Sequence, residues 1–177
     1  MENGLSLPQA LRGAFSQTHP RLGEVIRFVL DHHFYQRRLG ESLAMHALRV
    51  GFYAGRMAQN VLRDDQVVLV VNAGLLHEVT DDDGLRQFGE PTVELVRRLR
   101  RRQGESDGVL LQRLAPTPSA LWVKLGDELD IVASRGGANG FEGRTPQDVR
   151  AAISVWQSVA GHAFSSQIQQ AFEHLNN

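Results

Sequence analysis

Residues 64–78 read DDQVVLVVNAGLLHE, and the choice between strand and helix for the valines decides the fold. By composition alone Val67, Val68, Leu69, Val70 and Val71 suit a buried strand as well as a buried helix. The run passes without a break into Ala73–Leu76, which makes it too long for an ordinary strand and favours a helix capped by Asp64 or Asp65. His77 and Glu78 then fall at the helix end. With Asp81, Asp82 and Asp83 they place one histidine and four carboxylates within seven residues, 77–83. Such a cluster is either a solvated turn or a set of acids that hold a cation and handle a water.

Outward from this segment the periodicity is helical. A helix is expected to start near 18–20, with Pro20 in its first turn and Leu22, Val25, Ile26 and Val29 as its apolar stripe. A loop hinged at Gly40 leads to a second helix over about 41–62, where Leu43, Ala47, Val50, Ala54 and Met57 share a face with His46. "FGEP" at 88–91 reads as a turn before a helix to about 102, and Ser119 as the cap of "ALWVKLGDELDIVAS". A last helix is expected from Thr145 and Pro146, with Val149, Ala152, Ile153, Trp156 and Val159 on its apolar side. The sum is a single all-α domain over residues 1–177.

Composition narrows the function classes. The chain has 177 residues, 42% hydrophobic and 22% charged, ordinary values for a globular domain. A net charge of −1 gives no bulk field for nucleic acid or an anionic membrane. There is no cysteine, so any metal must sit on His, Asp, Glu or water. No apolar run reaches membrane-spanning length and no secretory leader is evident, so a cytoplasmic location is the expectation. Arginines 97–102 read as a solvated face that could steer a polyphosphate, since Val93, Val96 and Leu99 keep to one side. The glycines of 135–143 lack the Gly-Lys-Ser/Thr ending that a phosphate-binding loop needs.

Two polar residues lie on apolar helical faces. His46 is one; Asp127, spaced four from Val123 and from Ile131, is the other. A buried carboxylate without a partner is costly and seeks a cation. One reading is structural: a core histidine, and an ion pair of Asp127 with Lys124 or an arginine. The other is a mixed nitrogen and oxygen metal site of His46, His77, Glu78 and Asp127, suited to manganese, iron or zinc rather than calcium.

Four blocks resemble one family in order. "RRLGESLAMHALRV", "AGLLHEVTDDD", "FGEPTVELVRRL" and "VKLGDELDIV" are similar to segments of the HD-domain (p)ppGpp hydrolases. By length the chain looks like the small alarmone hydrolase branch, a lone HD domain. The resemblance implies an HD helical bundle that uses Mn²⁺ to release pyrophosphate from the 3′ position of (p)ppGpp, with Zn²⁺ or Fe²⁺ as other candidate ions. It implies His46, His77, Glu78 and Asp127 as metal ligands, Asp81 and Asp82 as the pair that orients the attacking water, and Arg37 and Lys124 as substrate contacts. The partner implied is a nucleotide, not a nucleic acid or a membrane.

This sequence departs from the family pattern at several of these places. Glu78 stands where the family has Asp, and its extra methylene carries the carboxylate outward by ~1.5 Å. Asp81 is shorter than the family's Glu, Ile131 replaces an Asn, and Glu128 and Asp130 add negative charge. These departures keep two alternatives in view: a nucleotide-sensing or protein-interaction module without turnover, and a phosphatase acting on another nucleotide such as NADPH.

Overall fold

The computed structural model describes residues 6–38, 41–59 and 61–134, and it is all-α. In chain order the elements are α1 (Leu7–Phe15), α2 (Leu22–His32), β1 (Arg37–Arg38), β2 (Glu41–Ser42), α3 (Leu43–Ala58), α4 (Asp64–Leu76), α5 (Asp82–Arg86), α6 (Glu90–Leu99), α7 (Asp107–Leu114) and α8 (Pro118–Ser134). The two short strands form an antiparallel hairpin with Arg37 opposite Ser42 and Arg38 opposite Glu41. The glycine-rich stretch at 135–143 and the last helix expected from Thr145 lie outside the described residues. Among the described residues no helix is long and apolar enough to cross a membrane.

The valine run is the middle of α4. Val67, Val70, Val71, Ala73, Leu75 and Leu76 are all buried, so the helix is apolar nearly all round. Its neighbours explain this. α3, α4 and α8 pack on one another; α1 and α2 cover α3, α2 and α6 cover α4, and α7 lies on α8. Burial on several sides outweighs the modest helix penalty of β-branched residues. Asp64 and Asp65 occupy the first turn, where negative charge meets the positive end of the helix dipole. Arg63, not an aspartate, is the N-cap residue.

Glycines set how closely the central helices approach. A Cβ on Gly74 of α4 would lie 2.8 Å from the Cα of Gly51 on α3. A Cβ on Gly126 of α8 would lie 2.9 Å from the carbonyl oxygen of Val50, again on α3. Bare backbone therefore faces α3 at both crossings, and each crossing glycine stands within a turn of a candidate ligand: Gly74 before His77, Gly126 before Asp127.

The other boundaries differ modestly from expectation. α3 begins at Leu43, because Glu41 and Ser42 are taken up by the hairpin. α6 begins at Glu90, one residue before Pro91 and just after Gly89 at φ +94°, a conformation that favours glycine, and it ends at Leu99 rather than near 102. α8 starts two residues early, with Pro118 in its first turn and Ser119 already helical.

The buried histidines give the metal-free fold a pH signature. Burial lowers the pKa of His19, His33 and His77 below 6.5, and for His19 the hydrogen bond to Asn72 Oδ1 at 2.6 Å only partly offsets it. For these three the unfolded chain takes up protons that the folded chain refuses, so stability falls as pH drops below 6.5. His46 runs the other way. Its folded pKa is about 9, so its contribution is complete below 6.5 and is lost as pH rises to 9. Urea midpoints of the metal-free protein at pH 5, 6.5 and 9 are expected to peak at the middle value; a monotonic series would contradict these burial assignments.

Candidate metal centre

His46 sits one turn into α3, His77 caps the end of α4, Glu78 follows it, and Asp127 lies in α8. The structure brings His46, His77 and Asp127 together as one group, and sets Glu78 against the two histidines. His46 Nε2 lies 3.3 Å from His77 Nε2, 3.6 Å from Asp127 Oδ1 and 3.7 Å from Glu78 Oε1. His77 Nε2 is 3.5 Å from the same Glu78 oxygen. One ligand atom each from His46, His77 and Asp127 fall within 4.8 Å of one another; Glu78 adds its carboxylate from the side of the two histidines. Donors around a tetrahedral ion at about 2.1 Å stand roughly 3.4 Å apart, so the spacing fits a first-row divalent ion.

The ring nitrogens are assigned by their far sides. His77 Nδ1–H donates to the carbonyl of Gly74 at 2.8 Å, leaving Nε2 with its lone pair. His46 Nδ1–H donates to Asp130 Oδ2 at 2.8 Å and turns its Nε2 toward the cluster. His46 Nε2 thus faces both His77 Nε2 and Glu78 Oε1. Burial alone would lower the pKa of His46, but the hydrogen bond to Asp130, with Glu78 and Asp127 nearby, lifts it to about 9.

The acids are compensated. Burial would raise the pKa of Asp127, yet the charges of Lys124, His77 and His46 hold it well below the usual carboxylate range. Lys124 donates to Asp127 Oδ2 and also approaches Glu128 at 3.5 Å. It is the partner of a largely buried acid, and it leaves Oδ1 of Asp127 facing the histidines. The extra charges of Glu128 and Asp130 are likewise drawn into ion pairs, Glu128 with Lys124 and Asp130 with His46 and Arg49. Glu78 is the most exposed of the four, its side chain 27% accessible, and marks the open side of the cluster. One of its oxygens lies against both histidines, at 3.7 and 3.5 Å.

The remaining sequence candidates are placed differently. Asp81 is the N-cap of α5 and accepts from Asp83 N–H at 3.1 Å. Asp82 accepts from Arg97 at 2.8 Å and from Arg100 at 2.7 Å, one on each oxygen, and these bonds lower its pKa. The hydrogen bonds and ion pairs of both acids run to α5 and α6, not to the four clustered ligands. Arginines 97 and 100 are therefore engaged, and only part of the basic stretch is a solvated face. Arg37 is exposed on the hairpin, beside Phe34 and Tyr35, whose rings are also exposed.

Sequence reasoning missed Arg49 and Glu41, and it read Asp130 as a hindrance. The signal was present in the spacing: Arg49 follows His46 by three residues, and Asp130 follows Asp127 by three, so each shares its helix face with a ligand. Comparison with protein-family models, with curated proteins and with solved structures finds no match for this chain.

Proposed function

We propose that the protein is a metal-dependent phosphohydrolase of the HD-domain type, acting on a guanosine nucleotide that carries a 3′-pyrophosphate. The observation that supports this most is the convergence of His46, His77, Glu78 and Asp127 from three helices, with both histidines turned by far-side hydrogen bonds to present Nε2. A divalent ion, Mn²⁺ first and Zn²⁺ or Fe²⁺ as other candidates, would supply Lewis acidity toward a phosphoryl oxygen and lower the pKa of water. The protein's own part is positional. The two imidazoles and two carboxylates would hold the ion, Lys124 keeps Asp127 ionised, and Asp81, exposed at the start of α5, would be the acid that accepts a hydrogen bond from the nucleophile. Arg37 on the hairpin would meet the base.

Incubation of the purified protein with ppGpp and Mn²⁺ is expected to release pyrophosphate and leave GDP. No turnover across Mn²⁺, Zn²⁺ and Fe²⁺, with no metal retained after dialysis, would end this reading. Glu78→Asp withdraws the carboxylate by one methylene and is expected to weaken metal binding about tenfold; unchanged affinity would remove Glu78 from the ligand set.

One feature favours a second reading, a nucleotide-sensing or interaction module. Both oxygens of Asp82 are held by arginines, which removes one of the two acids that would orient water. Metal retention with ppGpp bound but intact, and NADPH equally untouched, would select that reading; phosphate release from NADPH alone would select a phosphatase on another nucleotide.

A further inference from the structure

Resting on the metal-site reading, we propose that Asp130 and Arg49 are positioning residues that fix His46 as an Nε2 ligand, and that Glu41 ties this pair to the hairpin. Behind His46 runs a continuous chain of charge-assisted hydrogen bonds. Asp130 Oδ2 accepts from His46 Nδ1–H at 2.8 Å and from Arg49 Nη2 at 3.1 Å, while Asp130 Oδ1 accepts from Arg49 Nε. Arg49 Nη1 and Nη2 reach the two oxygens of Glu41 at 2.7 and 2.8 Å.

The chain has the geometry of a clamp. The Asp130 side chain is 5% accessible, and a carboxylate so buried is tolerated only when its lone pairs are taken up by opposite charge. One guanidinium fork spans two carboxylates, which lysine cannot imitate. A ring flip of His46 would break the bond to Asp130 and leave a buried charge short of a donor, so the imidazole is locked with Nε2 toward the cluster. The same two helices supply both layers: α3 carries His46 and Arg49, and α8 carries Asp127 and Asp130, each pair on one face. Glu41 lies in β2, opposite Arg38 in the hairpin register, so the hairpin that presents Arg37 is fastened to the back of a metal ligand.

The test is a titration of the full chain with Co²⁺ alone, read by the visible absorption of the bound ion. Wild type is expected to bind, Asp130→Asn to bind 10- to 100-fold more weakly with an altered spectrum, and Arg49→Lys to lose about tenfold. A spectral change reports the ion's surroundings and would not follow from loss of stability alone. No Co²⁺ uptake by wild type would overturn the metal reading and this inference together. Uptake by wild type, with affinity and spectrum unchanged in Asp130→Asn, would overturn this inference alone. Should Asp130→Asn fail to fold, imidazole ¹⁵N spectra of the Zn²⁺-loaded wild type decide: a proton kept on His46 Nδ1 supports the clamp, and metal on Nδ1 with the proton on Nε2 overturns it.

Discussion

Replacing His77 by alanine is expected to weaken Mn²⁺ binding by more than about a hundred-fold, since loss of an outer partner alone costs up to that much. His77 contributes one of the donors that meet around a common point and is held there by Gly74. Its side chain is 11% accessible and desolvation lowers its pKa, so it offers a lone pair rather than a proton near neutral pH. The effect is readable as stability. A ligand present at about a thousand times its dissociation constant adds about 4 kcal/mol to the folded state. For a chain of this size that raises the melting temperature by roughly 10 °C. In His77→Ala the same Mn²⁺ concentration is expected to give less than about half that rise, while the metal-free melting temperature changes little by comparison. An equal Mn²⁺-induced rise in wild type and variant, measured by scanning calorimetry, would contradict the role assigned to His77.

The second large effect concerns the crossing of α3 and α4. Gly74→Ala would set a methyl group 2.8 Å from the Cα and 3.1 Å from the amide nitrogen of Gly51. The obstacle is backbone, so no rotamer change relieves it and the helices must part. Overpacking of this kind costs about 1–3 kcal/mol, occasionally more, against a helix-propensity gain of about 1 kcal/mol for glycine to alanine. A net loss of about 1 kcal/mol, up to about 2, is expected from urea midpoints at constant slope. Gly23→Ala in α2 is the matched contrast. Nothing lies within 4 Å of the added methyl, so only the propensity gain remains and the midpoint is expected to rise. Separation of α3 from α4 also separates His46 from His77, so Gly74→Ala should weaken metal binding although it touches no ligand. Equal and small shifts for the two variants would mean that the crossing is looser than its geometry states.

How much of this was legible in the sequence depends on which forces made it. The long helices were, because their apolar stripes are products of burial and survive in the residue order: α2, α3, α4, α6 and α8 all lie where the periodicity placed them. His46 and Asp127 were legible for a related reason, since a histidine or an aspartate on an apolar face demands a partner, while His77 and Glu78 stood out as adjacent donors at a helix end. The short elements were not. α1 has only Leu7, Leu11 and Phe15 to mark it, and α5 is a single turn held by its cap and by α6. Nor was the fate of Asp82, which is decided by two arginines 15 and 18 residues away on another helix. Asp130 was read as one negative charge too many, because its compensation by Arg49 crosses 81 residues and local spacing cannot reveal it.

That long span between α3 and α8 has a bearing on how the molecule comes into being. His46 and Asp130 meet across 84 positions, so both histidines and Glu78 leave the ribosome well before the helix that completes their pocket. A nascent chain ending at α7 holds a partial set of ligands and no counter-charge behind His46. Any ion held by His46, His77 and Asp127 therefore finds its full set of donors only after α8 has been made.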